Sequence, residues 1–196
     1  MPWIEPVTLA GERVWLAPTE PGDAEGVAAA IRDGELWRLW YAAVPRPEQV
    51  PAEIDRRLGL QADGAMLPIT TRLADTGRII GLTSYLNLDE DNRRVEIGAT
   101  FHAASTHGTG VNAESKLLLL GHAFEELGCI AVELRTHHLN RRARAAIEAL
   151  GARLDGVLRH HRVLPDGSLR DTAVYSITAA EWPAVRNELR RRLGQD

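Results

Sequence analysis

The 196-residue chain is long enough for one domain with a sizeable core, and we expect a single domain over residues 1–196. Its 44% hydrophobic and 26% charged residues are typical of a soluble globular protein. The net charge of −4 provides no general attraction for nucleic acid, so no nucleic-acid partner is expected. The basic run at residues 186–192 is interpreted as the solvated face of a C-terminal helix.

Cysteine content and hydropathy exclude two further classes. Cys129 is the only cysteine, so no intrachain disulfide can form, and its apolar neighbours favour a buried structural thiol over a nucleophile. The N-terminus lacks a signal-peptide pattern, and the longest apolar block, residues 117–120, is too short to span a bilayer. We therefore expect a cytoplasmic protein without a membrane partner, and no metal site is predicted.

Periodicity in the first half of the chain predicts strands interrupted by a helical segment. An alternating strand is predicted at residues 13–16, and helical spacing follows from 21 to 31 and from 52 to 61. An aromatic cluster of Trp37, Trp40 and Tyr41 lies between the two helices. Two strands are then predicted at 66–73 and 79–86, with a turn at 75–77 between them.

The strand predicted at 94–102 alternates most clearly. One face would carry Val95, Ile97, Ala99 and Phe101, and the other Glu96, Gly98, Thr100 and His102. The next elements are a helix at 113–127, a strand at 130–136 and a helix capped by Asn140. Strands at 156–164 and 171–178, joined by a turn at 165–167, precede a last helix from about Ala180. This order predicts a mixed α/β fold with antiparallel content.

A glycine-rich turn stands directly before the helix at 113–127. Gly108 and Gly110 allow tight backbone geometry and the close approach of a ligand. The first N–H groups of the helix have no intrahelical partner. Together these features predict a pocket for phosphate or pyrophosphate at residues 105–112.

Two other phosphate-binding motifs also contain a glycine-rich turn. The P-loop string is absent, whereas Gly108-x-Gly110-x-x-Ala113 matches the dinucleotide pattern, with Glu133 near the position of a ribose-binding acid. Against the dinucleotide hypothesis, the polar residues 105–107 separate the turn from its strand, and Glu133 lies inside a predicted strand. Too few residues also follow for the remaining βαβ units. Binding of NAD(P) stays a remote alternative.

Taken in order, three segments resemble the GNAT (Gcn5-related N-acetyltransferase) superfamily, most closely its branch of ribosomal-protein N-terminal acetyltransferases. Residues 95–101 resemble the central strand, 105–112 the pyrophosphate loop and 140–152 the second cofactor motif. The resemblance covers roughly residues 7–184. It implies an α/β fold with a central, mostly antiparallel sheet of about seven strands flanked by helices.

The resemblance also implies acetyl-CoA as the acyl donor. Its pyrophosphate would bind the amides of His107, Gly108, Thr109, Gly110, Val111 and Asn112. Its pantetheine arm would pair with the strand edge between Phe101 and Ala103 and contact Asn140, and Lys116 or Arg144 would reach the nucleotide phosphates. Alternatively, Asn140 is only a helix cap, and Lys116 and Arg144 are solvent-facing charges.

The sequence departs from the family pattern at two positions. Ser105 stands where the loop usually begins with Arg or Gln, so one side-chain phosphate contact is missing, which His107 could partly replace. Ile147 stands where a Tyr often protonates the departing thiolate. A different acid, or solvent, must then supply that proton.

Direct transfer to an amine is helped by a general base. Glu96 is the first candidate and resembles the family's strand carboxylate, although it could instead pair with Arg94 or a helix. His102, on the same predicted face, is the second, and His137 and His138 end the neighbouring strand. A backbone N–H of the central strand would meet the oxyanion.

The aromatic cluster is predicted to cover the acceptor site, because aromatic walls suit apolar or cationic acceptors; core packing is the alternative for each ring. The expected function is acetyl transfer to a primary amine of a small molecule or protein N-terminus. A different acyl-CoA, favoured by a roomy basic pocket, and a non-catalytic CoA-binding module remain alternatives. The oligomeric state, including a homodimer, is left open.

Overall fold

The computed structural model describes residues 3–42, 44–164 and 166–195. Within these ranges the chain forms one eight-stranded sheet. Its strands are β1 Leu9–Ala10, β2 Val14–Pro18, β3 Met66–Leu73, β4 Ile79–Asp89, β5 Arg94–His102, β6 Ala131–His137, β7 Arg153–Val163 and β8 Leu169–Thr178. Their spatial order is β1-β2-β3-β4-β5-β6-β8-β7. The mostly antiparallel sheet was predicted with seven strands, and the additional one is the two-residue β1.

Five α-helices flank the sheet in the described residues: α1 Ala24–Arg32, α2 Val50–Ala62, α3 Val111–Gly121, α4 Arg141–Ala149 and α5 Trp182–Leu193. A π-helical turn at His122–Glu126 extends α3. No helix in these ranges combines the length and hydrophobicity that crossing a bilayer requires. Of the turn predicted at 165–167, Pro165 lies outside the described residues, and Asp166 accepts hydrogen bonds from Ser168.

Apolar layers cover both faces of the sheet. On one face, α1 and α2 pack over Leu82 and Phe101. On the other, Leu119 and Leu120 of α3 are fully buried in the cluster that holds Tyr85 and Ile97. Cys129 belongs to this second core, and burial raises the pKa of its thiol to about 11, so the group stays protonated at neutral pH.

One parallel junction interrupts the antiparallel sheet. β5 and β6 pair only at Arg94 with Ala131, Val95 with Val132, and Glu96 with Glu133. Beyond Glu96 the two strands diverge, and α3 connects them over one face of the sheet. The divergence opens a cleft in the middle of the sheet.

A β-bulge in β5 changes which side chains share a face. Ser84 pairs with Gly98 and Leu82 with Phe101, so two residues, Ala99 and Thr100, lie opposite Thr83 alone. Ala99 takes up the extra residue with a φ of 48°. A single inserted residue moves every later side chain to the opposite face.

The predicted strict alternation of β5 is therefore wrong beyond Gly98. Phe101 packs into the α1/α2 core, on the face that carries Glu96. Thr100 turns towards α3, where its hydroxyl accepts a hydrogen bond from Lys116. Glu96 and His102, expected on one face, lie on opposite faces of the sheet.

A buried carboxylate fixes the start of α3 against β2. Glu114 is 1% exposed and accepts hydrogen bonds from the backbone N–H groups of Arg13 at 2.7 Å and Val14 at 2.8 Å. The side-chain amide of Gln195 donates a further bond at 2.8 Å. Because Glu114 lies in the first turn of α3, these bonds also position the glycine-rich turn before it.

We expect Glu114→Gln to destabilise the protein by about 2–3 kcal/mol. The glutamine amide keeps only one acceptor oxygen, so buried N–H donors lose their partner. The loss of stability corresponds to a fall of roughly 5–10 °C in Tm, measured by thermal unfolding. Glu126→Gln, at an exposed position on the same helical segment, is the control and should change Tm little. Equal Tm values for the two variants would contradict the role of Glu114.

Candidate active site

The glycine-rich turn presents the start of α3 to an open cleft. Gly110 is the N-cap at a φ of 89°, and Gly108 has a φ of 79°. The first intrahelical bond runs from the Glu114 N–H to the Gly110 carbonyl, so the N–H groups of residues 111–113 precede the ladder. Oriented donors at a helix start favour an anion.

Two of the six amides predicted to bind pyrophosphate are already used inside the turn. The His107 N–H donates to the Ala104 carbonyl at 3.1 Å, and the Thr109 N–H donates to the Thr106 carbonyl at 3.4 Å. Ser105 bonds Asp33 through its hydroxyl and its backbone N–H. These bonds hold the turn in shape. Of the six predicted amides, those of residues 108 and 110–112 have no such bond within the described residues.

A cavity of about 450 Å³, here called the loop cleft, lies against this turn. It extends between the end of β5, the start of α4 and the segment at 34–44. The predicted catalytic and cofactor-binding residues that line it are Phe101, His102, His107, Gly108, Asn112 and Asn140. A smaller cavity of about 210 Å³, the strand cleft, continues it between β5 and β6. Asn112, Asn140 and Thr100 line both, so the two form one path through the opened sheet.

The residues predicted around α4 have different roles. Asn140 caps the helix, because its Oδ1 accepts from the Ala143 N–H at 3.0 Å, and it also lines both clefts. Arg144 is turned away, with its Nε donating to the Tyr175 hydroxyl at 2.8 Å. Arg142 is the basic residue of α4 that lines the loop cleft. Ile147 forms apolar wall in the strand cleft.

Lys116, the only lysine of the chain, is buried rather than directed at the mouth of the turn. Its Nζ donates to the Thr100 hydroxyl at 3.1 Å and lines the strand cleft. No ion pair of the described residues involves Lys116, and no neighbouring charge contributes to its pKa shift. Burial lowers the pKa of Lys116 to about 7, so its ammonium can release a proton near neutral pH.

His102 is a poor general base in this position. It is 6% exposed, and its Nε2 has no hydrogen-bond partner in the part of the chain that the structure describes. Burial, followed by the charge of Lys116, lowers the pKa of His102 to about 3. The ring therefore stays neutral and has little affinity for a proton at physiological pH.

Glu96 lies on the other face of β5, in a third cavity of about 330 Å³, here called the Glu96 cavity. Its Oε2 accepts from the Asn87 side-chain amide at 2.7 Å and lies 3.4 Å from Nε of Arg135. The alternative partner Arg94 binds Glu133 instead, at 2.7 Å. Burial raises the pKa of Glu96, outweighing the opposing effect of Arg135. A buried carboxylate of raised pKa on a cavity wall suits proton transfer.

The clefts and the Glu96 cavity meet at the β5 bulge. Ala99 lines the strand cleft and the Glu96 cavity, Phe101 lines the loop cleft and the Glu96 cavity, and Thr100 lines all three. A ligand that runs from α3 along the open edge of β5 would thus end within reach of a second molecule beside Glu96. This geometry allows two bound substrates to come into contact at the β5 bulge.

The predicted aromatic residues do not line the Glu96 cavity. Trp37 packs against the α1/α2 core, and Tyr41 lines the loop cleft. Trp40 is 57% exposed and makes an edge contact with His137, with ring centroids 5.1 Å apart. Val44, four residues further along, lines both the loop cleft and the Glu96 cavity.

Sequence inspection missed the arginines of the Glu96 cavity. Arg57 of α2 is 2% exposed, and Arg135, Arg162 and Arg170 come from three different strands. Arg162 and Arg170 flank the turn predicted at 165–167, so a hairpin register drawn from that turn would have placed them opposite each other. The buried state of Arg57 leaves no comparable signal in the sequence.

Comparison with known proteins agrees with this architecture. Residues 13–153 match the family model described as "Acetyltransferase (GNAT) domain". The chain is 29% identical over 179 residues to "Putative ribosomal N-acetyltransferase YdaF" of Bacillus subtilis (strain 168), covering 87% of this chain and 94% of that protein.

Two solved structures illustrate the shared fold. A "putative acetyltransferase" from T. thermophilus is 32% identical with a TM-score of 0.85, and the match covers 97% of this chain and 99% of that one. "Mycobacterium smegmatis RimJ in complex with CoA-disulfide" is 22% identical with a TM-score of 0.80, covering 97% and 96%. The mostly antiparallel sheet also excludes the dinucleotide-binding alternative, which needs a parallel doubly wound sheet. The chain belongs to the GNAT acetyltransferase family and is an N-acetyltransferase.

Proposed function

We propose that the enzyme transfers an acetyl group from acetyl-CoA directly to a primary amine, either a protein N-terminus or a small molecule. The observation that carries this proposal is the meeting of the two clefts with the Glu96 cavity at the β5 bulge. The description of the B. subtilis relative as a ribosomal N-acetyltransferase supports a protein acceptor.

The residues around the clefts fit a CoA thioester. The start of α3 offers oriented N–H donors to a pyrophosphate, and the side chain of Arg142 adds positive charge beside it. The edge of β5 beyond Glu96 has left its β6 partner and can pair with an extended amide chain. The RimJ structure, which holds CoA-disulfide, has the same fold. When bound, acetyl-CoA supplies the activated carbonyl.

Glu96 would act as the general base. It accepts the proton of the attacking amine, directly or through one water, while Asn87 holds its Oε2 in place. Arg135 keeps a share of the carboxylate ionised against the cost of burial. The bulge leaves one residue of β5 outside the regular ladder, and a backbone N–H there is the proposed donor to the oxyanion.

Lys116 would take the place of the missing family tyrosine as proton donor to the leaving thiolate. Ile147 has no acidic proton, whereas the Lys116 ammonium lines the same cleft. With its pKa lowered to about 7, this ammonium is a stronger acid than an ordinary thiol with a pKa of about 8.5, so the proton transfer is downhill.

Ligand binding can be tested by thermal unfolding with acetyl-CoA, CoA and NADP in parallel. A ligand at about 100 times its Kd stabilises the native state by roughly 2.7 kcal/mol, which shifts Tm by several degrees. We expect a shift with both CoA ligands and none with NADP. A shift with NADP alone would be incompatible with the proposed donor.

We expect Glu96→Gln to lower kcat about 100-fold or more while the affinity for CoA stays the same, because the amide cannot accept a proton. The wild-type rate should rise with pH through the raised pKa of Glu96 and then level off. Glu90→Gln, at an exposed carboxylate in the turn between β4 and β5 and outside the Glu96 cavity, is the matched control. Steady-state kinetics with thiol release as readout measure both. If the two variants lose activity equally, Glu96 is not the base.

Binding of CoA by the wild-type protein without turnover of any amine would favour the non-catalytic CoA-binding module.

Lys116→Met should stabilise the protein, most strongly at low pH. Because the pKa of Lys116 is lowered from 10.5 to about 7, the unfolded chain binds one more proton between these values, so wild-type stability rises with pH across this window. The difference in free energy of unfolding between Lys116→Met and the wild type should shrink by roughly 2 kcal/mol between about pH 7 and pH 9. Urea unfolding at several pH values measures it. An advantage that does not change with pH would show that Lys116 titrates normally.

A further inference from the structure

The β7–β8 hairpin places two arginines directly opposite each other. Arg162 of β7 and Arg170 of β8 are register partners, and both line the Glu96 cavity. Like charges directly opposite on a sheet repel each other. No carboxylate of the described residues lies within ion-pair distance of either guanidinium, and Nε of Arg170 donates to the Thr172 hydroxyl at 3.1 Å. Glu96 across the cavity acts on both guanidinium groups, but its ion pair is with Arg135, so neither Arg162 nor Arg170 has a carboxylate of the described residues in contact.

A bulge in β7 aims this pair into the cavity. Leu158 pairs with Thr172 and Arg162 with Arg170, so residues 159–161 lie opposite Asp171 alone. His160 adopts a φ of 47°, and its N–H donates to Oδ1 of Asp171 at 2.8 Å. Bulges of this kind redirect side chains beside functional sites. Here His161 and Arg162 line the cavity, whereas Arg159 points away and pairs with Asp171 at 3.0 Å.

The other charges of the cavity are already paired. Glu53 binds Arg56 and Arg57, and Glu96 lies beside Arg135. His161 lines this cavity together with Arg135, Arg162 and Arg170, and its pKa is lowered by burial and then by Arg162, Arg135 and Arg170. The cavity thus has an excess of positive charge on its hairpin side and a carboxylate, Glu96, on its β5 side.

We propose that Arg162 and Arg170 form a carboxylate-binding subsite, so that the enzyme prefers a reaction partner that carries a carboxylate near the reacting group. This inference rests on the proposed function. Guanidinium groups bind carboxylates with paired, charge-assisted hydrogen bonds. The carboxylate can come from the acceptor, as an acidic residue next to its free amine, or from the acyl chain of a dicarboxylic acyl-CoA. The acceptor is the expected source, because Glu96 and the arginine pair match an amine and a carboxylate on one molecule.

Two peptides that differ only in the carboxylate test the acceptor source. The two dipeptides are Ala-Glu and Ala-Gln, each with an amidated C-terminus, so that only the side chain differs. Their affinities for the protein–CoA complex are measured by calorimetry. We expect the acidic peptide to bind about 10-fold more tightly, and Arg170→Gln to abolish this difference. Arg170→Lys should retain part of it. Arg159→Gln, on the same hairpin but outside the cavity, is the matched control and should preserve it in full.

The donor source is tested with acetyl-CoA and succinyl-CoA, each with the neutral peptide. A preference for succinyl-CoA that Arg170→Gln removes would place the bound carboxylate on the acyl chain. Equal affinity for the two peptides together with no preference for succinyl-CoA would overturn the subsite. Product formation is followed separately: carboxylate-dependent binding without acetylation supports the subsite and contradicts the proposed function.

Discussion

At Ala99, strand β5 carries one residue more than β4 can pair with, and the backbone absorbs it at a φ of 48°. The position of every later β5 side chain depends on this insertion. It sends Phe101 to the α1/α2 face with Glu96 and turns Thr100 and His102 towards α3. It also brings the clefts into contact with the Glu96 cavity. Without it, the two clefts and the Glu96 cavity would meet different stretches of the strand.

Two further constraints act together with the bulge. The parallel pairing of β5 with β6 stops after Glu96, which opens the sheet, and the Glu114 carboxylate ties α3 to β2 so that its first turn faces the opening. The same helix then inserts Lys116 between the separating strands. One helix therefore supplies both the N–H groups at one end of the cleft and a titratable cation, Lys116, near its far end.

Much of the fold could be predicted from periodicity and turn chemistry. The strands, the helices and the glycine-rich turn lie within a few residues of their predicted positions. Glu96 lies on a cavity wall, and its role as a base stays a prediction. Periodicity assumes a regular strand, however, so it could not detect the bulge that separates Glu96 from His102. It also could not distinguish Arg142 from Arg144, because the choice depends on a hydrogen bond to Tyr175 from a strand far along the chain. A register drawn from the predicted turn places Arg162 opposite Arg170, but periodicity shows neither the second bulge, at residues 159–161, nor the cavity that the two arginines line.

Because its single lysine, Lys116, is buried, the enzyme has little exposure to acylation of its own lysine side chains. Within these 196 residues all other basic side chains, apart from histidine, are arginines, whose guanidinium groups stay protonated and do not act as nucleophiles. Lysine ε-amino groups on a protein surface are potential acceptors for activated acyl groups. With its one lysine 5% exposed, this chain offers no accessible lysine side chain to the proposed thioester donor. Self-modification at lysine is thereby suppressed by composition and burial together.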